Sequence, residues 1–404
     1  MTAEQSQRLV FWRDLTPLPV PLNAPTASSP RVLIIGGGVT GLVTAWTLLD
    51  KGYHVTILAK EWASYGEEQR LTSQIAGALW EFPPAVCGQH TDAISLQHSK
   101  RWCMAAYYIW DAIASYKPLA ELSGVRMKPA GFFFPVPIEQ DADQLSKMHE
   151  IMASGVRGFR RNTKIIQERR ANVDYGVVDA YEHLAPIIDT DVAMAFLKDL
   201  VTSKGVTLIT DTLHGDLFAQ EHALRQHYRA DAIVNATGLA GTELAGDASC
   251  YPIRGALIRV VNDGRAFPKV EAALTITADA VHDAGEIVFL VPRNDAVLLI
   301  GGIAEPHERE LNLTLDSPIV RRMRARCEAF LPDLKHARVD AAYPLAQGLR
   351  PFRQRNVRVE RELRRHAGGR PSRIEALVDL PARPMMLAEG FAVEAEEQPV
   401  RARL

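Results

Sequence analysis

The chain has 404 residues, 47% of them hydrophobic and 23% charged, with a formal net charge of −2 at pH 7. That length allows a large core and two domains, and the near-neutral balance gives no electrostatic case for nucleic acid or an anionic membrane as partner. No apolar run reaches the ~20 residues that span a bilayer, and residues 1–30 lack the apolar centre of a signal peptide, so an intracellular protein is expected.

Residues 1–30 are rich in Pro, Ser and Thr and read as an extended surface arm. The run VLII (32–35) then reads as a buried parallel strand. Apolar residues at helical spacing follow over 39–51 (Val39, Leu42, Val43, Trp46, Leu49), closed by Gly52, and HVTIL (54–58) reads as a second strand. Strand, helix and strand make a β-α-β unit of the size of a nucleotide-binding crossover. Beyond it, 92–116 reads as an amphipathic helix, GFFFPV (131–136) as a strand and 141–153 as a helix. The basic run 157–170 belongs by default on a solvated surface, with a lid or partner surface as the alternative. A helix over 190–204 leads through Gly205 to the strand VTLIT, and AIVN (232–235) runs into Ala236-Thr237-Gly238. ALIRVV (256–261) alternates like a strand. EIVFLV (286–291) and AVLLI (296–300) flank PRND, a hairpin signal. A basic helix over 318–331 ends at Pro332. The order predicts an α/β fold: a Rossmann-type domain interleaved with an antiparallel-sheet domain.

Gly36, Gly38 and Gly41 form a G-x-G-x-x-G between strand and helix. The first permits the tight turn, the second lets backbone approach a pyrophosphate, and the third lets helix and strand pack closely. The helix start, with Val39, offers free amides and a positive dipole end to phosphates. A tight ligand-free turn is the plainer alternative. The acid expected after the second strand, for the ribose hydroxyls, is displaced to Glu61, and Lys60 before it leaves an NADP-type phosphate open.

Four further segments follow in order: LTSQIAGALWEFPP (71–84), VNATGLAG (234–241), YPIRGALI (251–258) and QGLRPFR (347–353). Together they resemble the D-amino-acid oxidase family of FAD-dependent oxidases over roughly residues 31–362. The resemblance implies FAD on the glycine loop. Gly36, Gly38, Gly41, Lys60 and Glu61 would face its ADP portion. Thr72, Ser73, Gly77, Ala78 and Leu79 would line the pyrophosphate and ring. Val206 would lie on the adenine-touching strand, and Thr237 and Gly238 in a second contacting turn. It also implies hydride transfer from an amino acid's α-carbon, an imine that hydrolyses to keto acid and ammonia, and molecular oxygen as acceptor. Arg350 matches the carboxylate-binding arginine, a role suited to a guanidinium fork; an arginine paired with a structural acid is the alternative. The implied assignment is residues 31–84, 176–250 and 344–404 to FAD and 85–175 and 251–343 to a small-molecule amino-acid substrate, with a homodimer open.

Two departures from the family pattern stand out. Phe289 and Ala304 occupy positions where tyrosines usually stand, implying a larger, less polar pocket. Residues 375–389 carry no glycine and have Pro381 and Pro384, although backbone amides usually approach the flavin there. These departures leave a non-catalytic flavoprotein as a competing reading, and Lys60 leaves an NADP-dependent reductase as another. Trp80, Trp102 and Trp110 are core or pocket walls, only Trp80 with motif support. Cys87, Cys103, Cys250 and Cys327 show no metal-ligand spacing and read as buried thiols, so no metal site is expected. The final ARL loosely resembles a peroxisomal address, leaving cytoplasm or peroxisome.

Overall fold

The structure is a computed structural model that describes residues 10–11, 15–66, 69–84, 92–276, 287–361 and 364–378. Strand β1 (Arg31–Ile35) is buried on both faces, as the centre of a parallel sheet requires. Helix α1 (Val39–Asp50) crosses over to β2 (His54–Ala59), which pairs parallel to β1 with Ile35 opposite Leu58. Gly52 turns the chain at φ +83°, a conformation open to glycine at little cost. Then come the single turn α2 (Thr72–Ile75) and the long helix α3 (Ala93–Ser115), whose first turn is capped by Asp92 accepting from the Ser95 amide.

The chain continues through β3 (Val125–Phe134), α4 (Ala142–Ala153), β4 (Arg160–Arg161), β5 (Asp179–Ile188), α5 (Thr190–Ser203), β6 (Thr207–Thr210), α6 (Leu217–Tyr228) and β7 (Ala232–Asn235). It then runs through β8 (Cys250–Val261), β9 (Ala273–Ile276), β10 (Val288–Pro292), β11 (Val297–Gly301), β12 (Glu305–Pro306), α7 (Pro318–Phe330), β13 (Leu345–Arg353), β14 (Arg358–Arg361) and β15 (Ile374–Val378).

Six strands form one sheet in the order β14-β15-β7-β1-β2-β6, parallel except for β14 at the edge. The other nine form a second sheet, β12-β8-β11-β10-β9-β3-β5-β4 with β13 also on β8. Its pairs are antiparallel except β3 with β9. The Rossmann-type sheet is thus assembled from distant segments. β5 and β13, which lie in segments assigned by sequence to FAD, pair with β3 and β8 of the nine-stranded sheet. That long pairing with β13 also explains why β8 starts at Cys250 rather than at 256.

Apolar faces build the core on both sides of the sheets. α1, α3 and β3 pack together through Trp46, Tyr107, Trp110 and Phe132. α7 covers the nine-stranded sheet with Met323, Cys327 and Phe330. Leu217 and Leu224 of α6 cover the other face of β1 and β2.

Two regions differ from the sequence reading. The described part of the N-terminal arm does not lie only on the surface: Leu15 and Thr16 are buried. The Thr16 amide donates to Asp50 Oδ2 at 2.9 Å, and Trp46 Nε1 donates to the Thr16 carbonyl at 2.8 Å. Lys204 Nζ meets Asp50 Oδ1 at 2.6 Å, with both side chains fully buried. The basic run 157–170 is not simply solvated, because β5 brings acids to it. Arg160 and Arg169 bind Glu182, and Arg161 binds Asp179 and Glu139. Cys103, Cys250 and Cys327 are buried; Cys87 lies outside the described residues. Among the described residues no His/Cys/Asp/Glu cluster could hold a metal, and no helix is long and apolar enough to cross a membrane.

Candidate active site

A cavity of about 680 Å³ runs from the β1–α1 turn, between the two sheets, to β8, β10 and β13. That volume suits a cofactor or substrate site. At one end lies the glycine turn. Gly36 sits at φ +120°, and a Cβ there would stand 2.3 Å from the Ala236 carbonyl oxygen. A Cβ on Gly41 would stand 2.0 Å from the Gly36 oxygen. Only glycine lets α1 start this close to β1 and β7.

Helix α1 has Gly38 at its N-cap, no capping side chain and no acid in its first turn. The Val39 amide donates to Ser73 Oγ at 3.1 Å. The other first-turn amides lack intrahelical acceptors, so the helix presents donors and a positive dipole end to the cavity. Lys60 and Glu61, both exposed, line the cavity past β2. Thr237 caps the β7 end, its hydroxyl donating to buried Asn235 Oδ1 at 2.7 Å.

Residues 72–79 form the middle wall. Thr72 Oγ1 donates to the Leu349 carbonyl at 3.0 Å, tying α2 to β13. Ala78 adopts φ +52°, uncommon for a residue with a side chain. Gly77 packs under Phe289: a Cβ there would stand 2.5 Å from the ring. Trp80 lines the same wall, with its Nε1 donating to the Cys103 carbonyl at 3.1 Å, and Trp110 lies beside it. Trp102 is elsewhere, packed on Val357 and Val359.

At the far end stands Arg350, half-buried on β13 opposite Ile253. Its Nη2 lies 3.7 Å from the position of a Cβ on Gly255. It makes no hydrogen bond or ion pair with a described residue. Apolar groups surround that end: Leu257, Ile287, Phe289, Ile303, Ala304 and Leu311. Phe289 faces Thr275 across the β10–β9 pair and Gly301 across the β10–β11 pair.

Of the residues singled out from sequence, Gly36, Gly38, Val39, Lys60, Glu61, Thr72, Ser73, Gly77, Ala78, Leu79, Thr237, Gly238, Phe289, Ala304 and Arg350 line this one cavity. Gly41 packs behind it. Val206 does not line it; Asp211, Thr212 and Leu213, just past the end of β6, do. Sequence reading missed Arg70, which also lines the cavity, is salt-bridged to Asp191 at 2.5 Å and lies over the Tyr343 ring at 4.1 Å. It also missed Arg293, seen only as part of a hairpin signal. Of the glycine-poor segment 375–389 the part from 379 on lies outside the described residues, as does the C-terminal ARL.

The profile of FAD dependent oxidoreductases, DAO, matches residues 31–377. The chain belongs to this family. Among curated relatives, a D-amino-acid oxidase of Streptomyces coelicolor is 29% identical over 333 residues, covering 82% of this chain and 86% of its own. Among solved structures, glycine oxidase from Bacillus cereus superposes with a TM-score of 0.65 at 17% identity, covering 92% of this chain and 96% of that one. An L-alpha-glycerophosphate oxidase from Mycoplasma pneumoniae with FAD bound gives 0.65 at 16%, with coverages of 92% and 94%. These two neighbours share the fold. The DAO-family chain is thus an FAD-dependent oxidoreductase. Its cavity fits FAD on its own terms: glycines whose Cβ positions are filled by backbone, a helix start without acids whose N-cap is Gly38, and a length of wall from that start to Arg350.

Proposed function

We propose that this protein is an FAD-dependent oxidase of amino acids, with D-amino acids as its substrate class. The observation that carries the reading is Arg350, a guanidinium without a described partner at the apolar end of a cavity whose other end is a phosphate-type turn. Gly36, Gly38 and Val39 would hold the pyrophosphate, Lys60 and Glu61 the ribose side, and Gly77, Ala78 and Leu79 the ring. Bound FAD supplies the acceptor for the hydride leaving the substrate α-carbon.

The chain's own residues bind and orient. Arg350 takes the carboxylate through two parallel hydrogen bonds and fixes the α-carbon in one pose. Phe289, Leu257 and Ile303 exclude water around it and leave the side chain in apolar surroundings. Without tyrosine hydroxyls at 289 and 304, Arg350 carries more of the carboxylate binding. The product imino acid hydrolyses to keto acid and ammonia, and oxygen is reduced to hydrogen peroxide.

The test is anaerobic addition of D- and L-amino acids to the FAD-loaded protein. Loss of flavin absorbance near ~450 nm with D-amino acids, and peroxide release in air, is the expected result. Flavin that stays oxidised with every amino acid supports instead the non-catalytic flavoprotein that Phe289 and Ala304 also fit.

A further inference from the structure

Arg293 follows β10 in the turn to β11, and its side chain runs inward to a residue exposure of 2%. The guanidinium donates to the Ala76 carbonyl at 2.6 Å, the Gln74 carbonyl at 3.5 Å, the Ile188 carbonyl at 3.0 Å and Thr190 Oγ1 at 2.7 Å. The Thr190 hydroxyl itself donates to the Gln74 carbonyl at 2.6 Å. No carboxylate of a described residue lies within ion-pair distance of Arg293. The acids acting on it are Asp189 and Asp191, and the like charges are Arg259 and Arg70. Burial pushes its pKa down to about 10, so it remains cationic at neutral pH.

A buried cation without an ion pair is held against a desolvation penalty. Tying three segments together does not need that charge. What the charge adds is a positive pole behind the Ala76 carbonyl. The Ala76–Gly77 peptide is trans, so the Gly77 N–H lies on the opposite edge of the same plane and points away from the guanidinium. That N–H has no acceptor among the described residues, and Gly77 lines the cavity beside Phe289. A hydrogen bond accepted by the carbonyl strengthens the donor at the other end of the amide.

We propose that Arg293 is a positioning residue that, through the Ala76–Gly77 peptide, holds and polarises an N–H donor aimed at the redox ring of FAD. It thereby raises the cofactor's reduction potential. The inference rests on the assignment of residues 77–79 to the ring. Reduction adds negative charge to the ring, so a polarised donor backed by a cation favours the reduced form.

The experiment is reductive titration of the FAD-loaded protein against a reference dye, with thermal unfolding measured on the same samples. Arg293→Met is expected to weaken binding of reduced relative to oxidised FAD at least tenfold, a fall of about 30 mV for a two-electron couple. Arg293→Lys, which keeps the charge, is expected to recover part of that loss. Asp189→Asn removes an opposing charge and keeps the acceptor for Asn294 Nδ2 at 2.7 Å; it is expected to move the potential upward. An unchanged potential in Arg293→Met, with only the unfolding temperature lowered, overturns the proposal. Should Arg293→Met yield no folded holoprotein, Asp189→Asn decides, and an unchanged or lower potential there overturns it. A wild-type protein that takes up no FAD overturns both this inference and the oxidase reading. Wild-type FAD with unshifted variants overturns this one alone.

Discussion

Arg350 and His183 make opposite use of a polar group. Arg350 keeps its fork unpaired and open to the cavity. Each hydrogen bond to a charged carboxylate is worth ~1.5–3 kcal/mol, so Arg350→Leu is expected to lower kcat/KM for amino acids by about 10²–10⁴. FAD should remain bound, since Arg350 is at the other end from the glycine turn; steady-state peroxide assays and the flavin spectrum check both. His183 is sealed between Phe132 and Trp80, with Nδ1 near the Leu184 carbonyl at 3.1 Å and Nε2 without a partner. Burial pushes its pKa down from 6.5 to about 4. The folded state therefore holds the neutral ring, while the unfolded chain takes up a proton near pH 6.5. Its contribution is full above pH 6.5 and is lost as pH falls from there to about 4, by on the order of 3 kcal/mol. Urea midpoints across that window should fall in the wild type, and His183→Gln should flatten the slope.

The Asp50–Lys204 pair shows what one buried contact does for whole elements. It joins the last residue of α1 to the C-cap of α5 and receives the N-terminal arm, because Asp50 Oδ1 also accepts from the Leu22 amide at 3.2 Å. Removing one partner strands the other charge in the interior. Asp50→Asn is expected to cost ~3–5 kcal/mol of stability, read as a lower urea midpoint, with the double variant Asp50→Asn, Lys204→Met recovering part of it. A second element-scale contact closes the parallel sheet. In the loop before β15, Ser372, His366 and the Arg373 amide all meet Glu221 of α6. Burial alone would raise the Glu221 pKa, but the His366 contact and the Arg373 and Ser372 hydrogen bonds hold it below the usual value. Its stabilising share is thus present above about pH 4.5 and is lost in acid as the pH falls through the lowered value.

At the scale of the molecule, FAD should act as part of the fold. Free FAD at about 100 times its dissociation constant should add ~2.7 kcal/mol of stability, so stripping the cofactor should lower the unfolding temperature, and adding FAD should restore it. Much of this layout was legible in the chain. VLII, the three glycines and HVTIL carry their own periods and steric needs, so the β-α-β unit reads directly, and VFLVPRNDAVLLI reads as the hairpin that it is. What did not read were facts made by distant partners. Arg160 and Arg161 look solvated until β5 brings Glu182 and Asp179 beside them. Arg293 looks like a turn residue until carbonyls from residues 74 and 76 surround it. Leu15 looks like part of a surface arm until Asp50 and Trp46 receive the neighbouring Thr16. Local pattern fixes which faces are apolar; it does not say which buried polar groups will meet.

The wall behind Gly36 is Ala236, and the partner of Thr72 is Leu349, 277 residues along the chain. The enclosure for a dinucleotide therefore closes only after segments far apart in the chain have met: the glycine turn is a local structure, but its walls wait for Ala236 and Leu349.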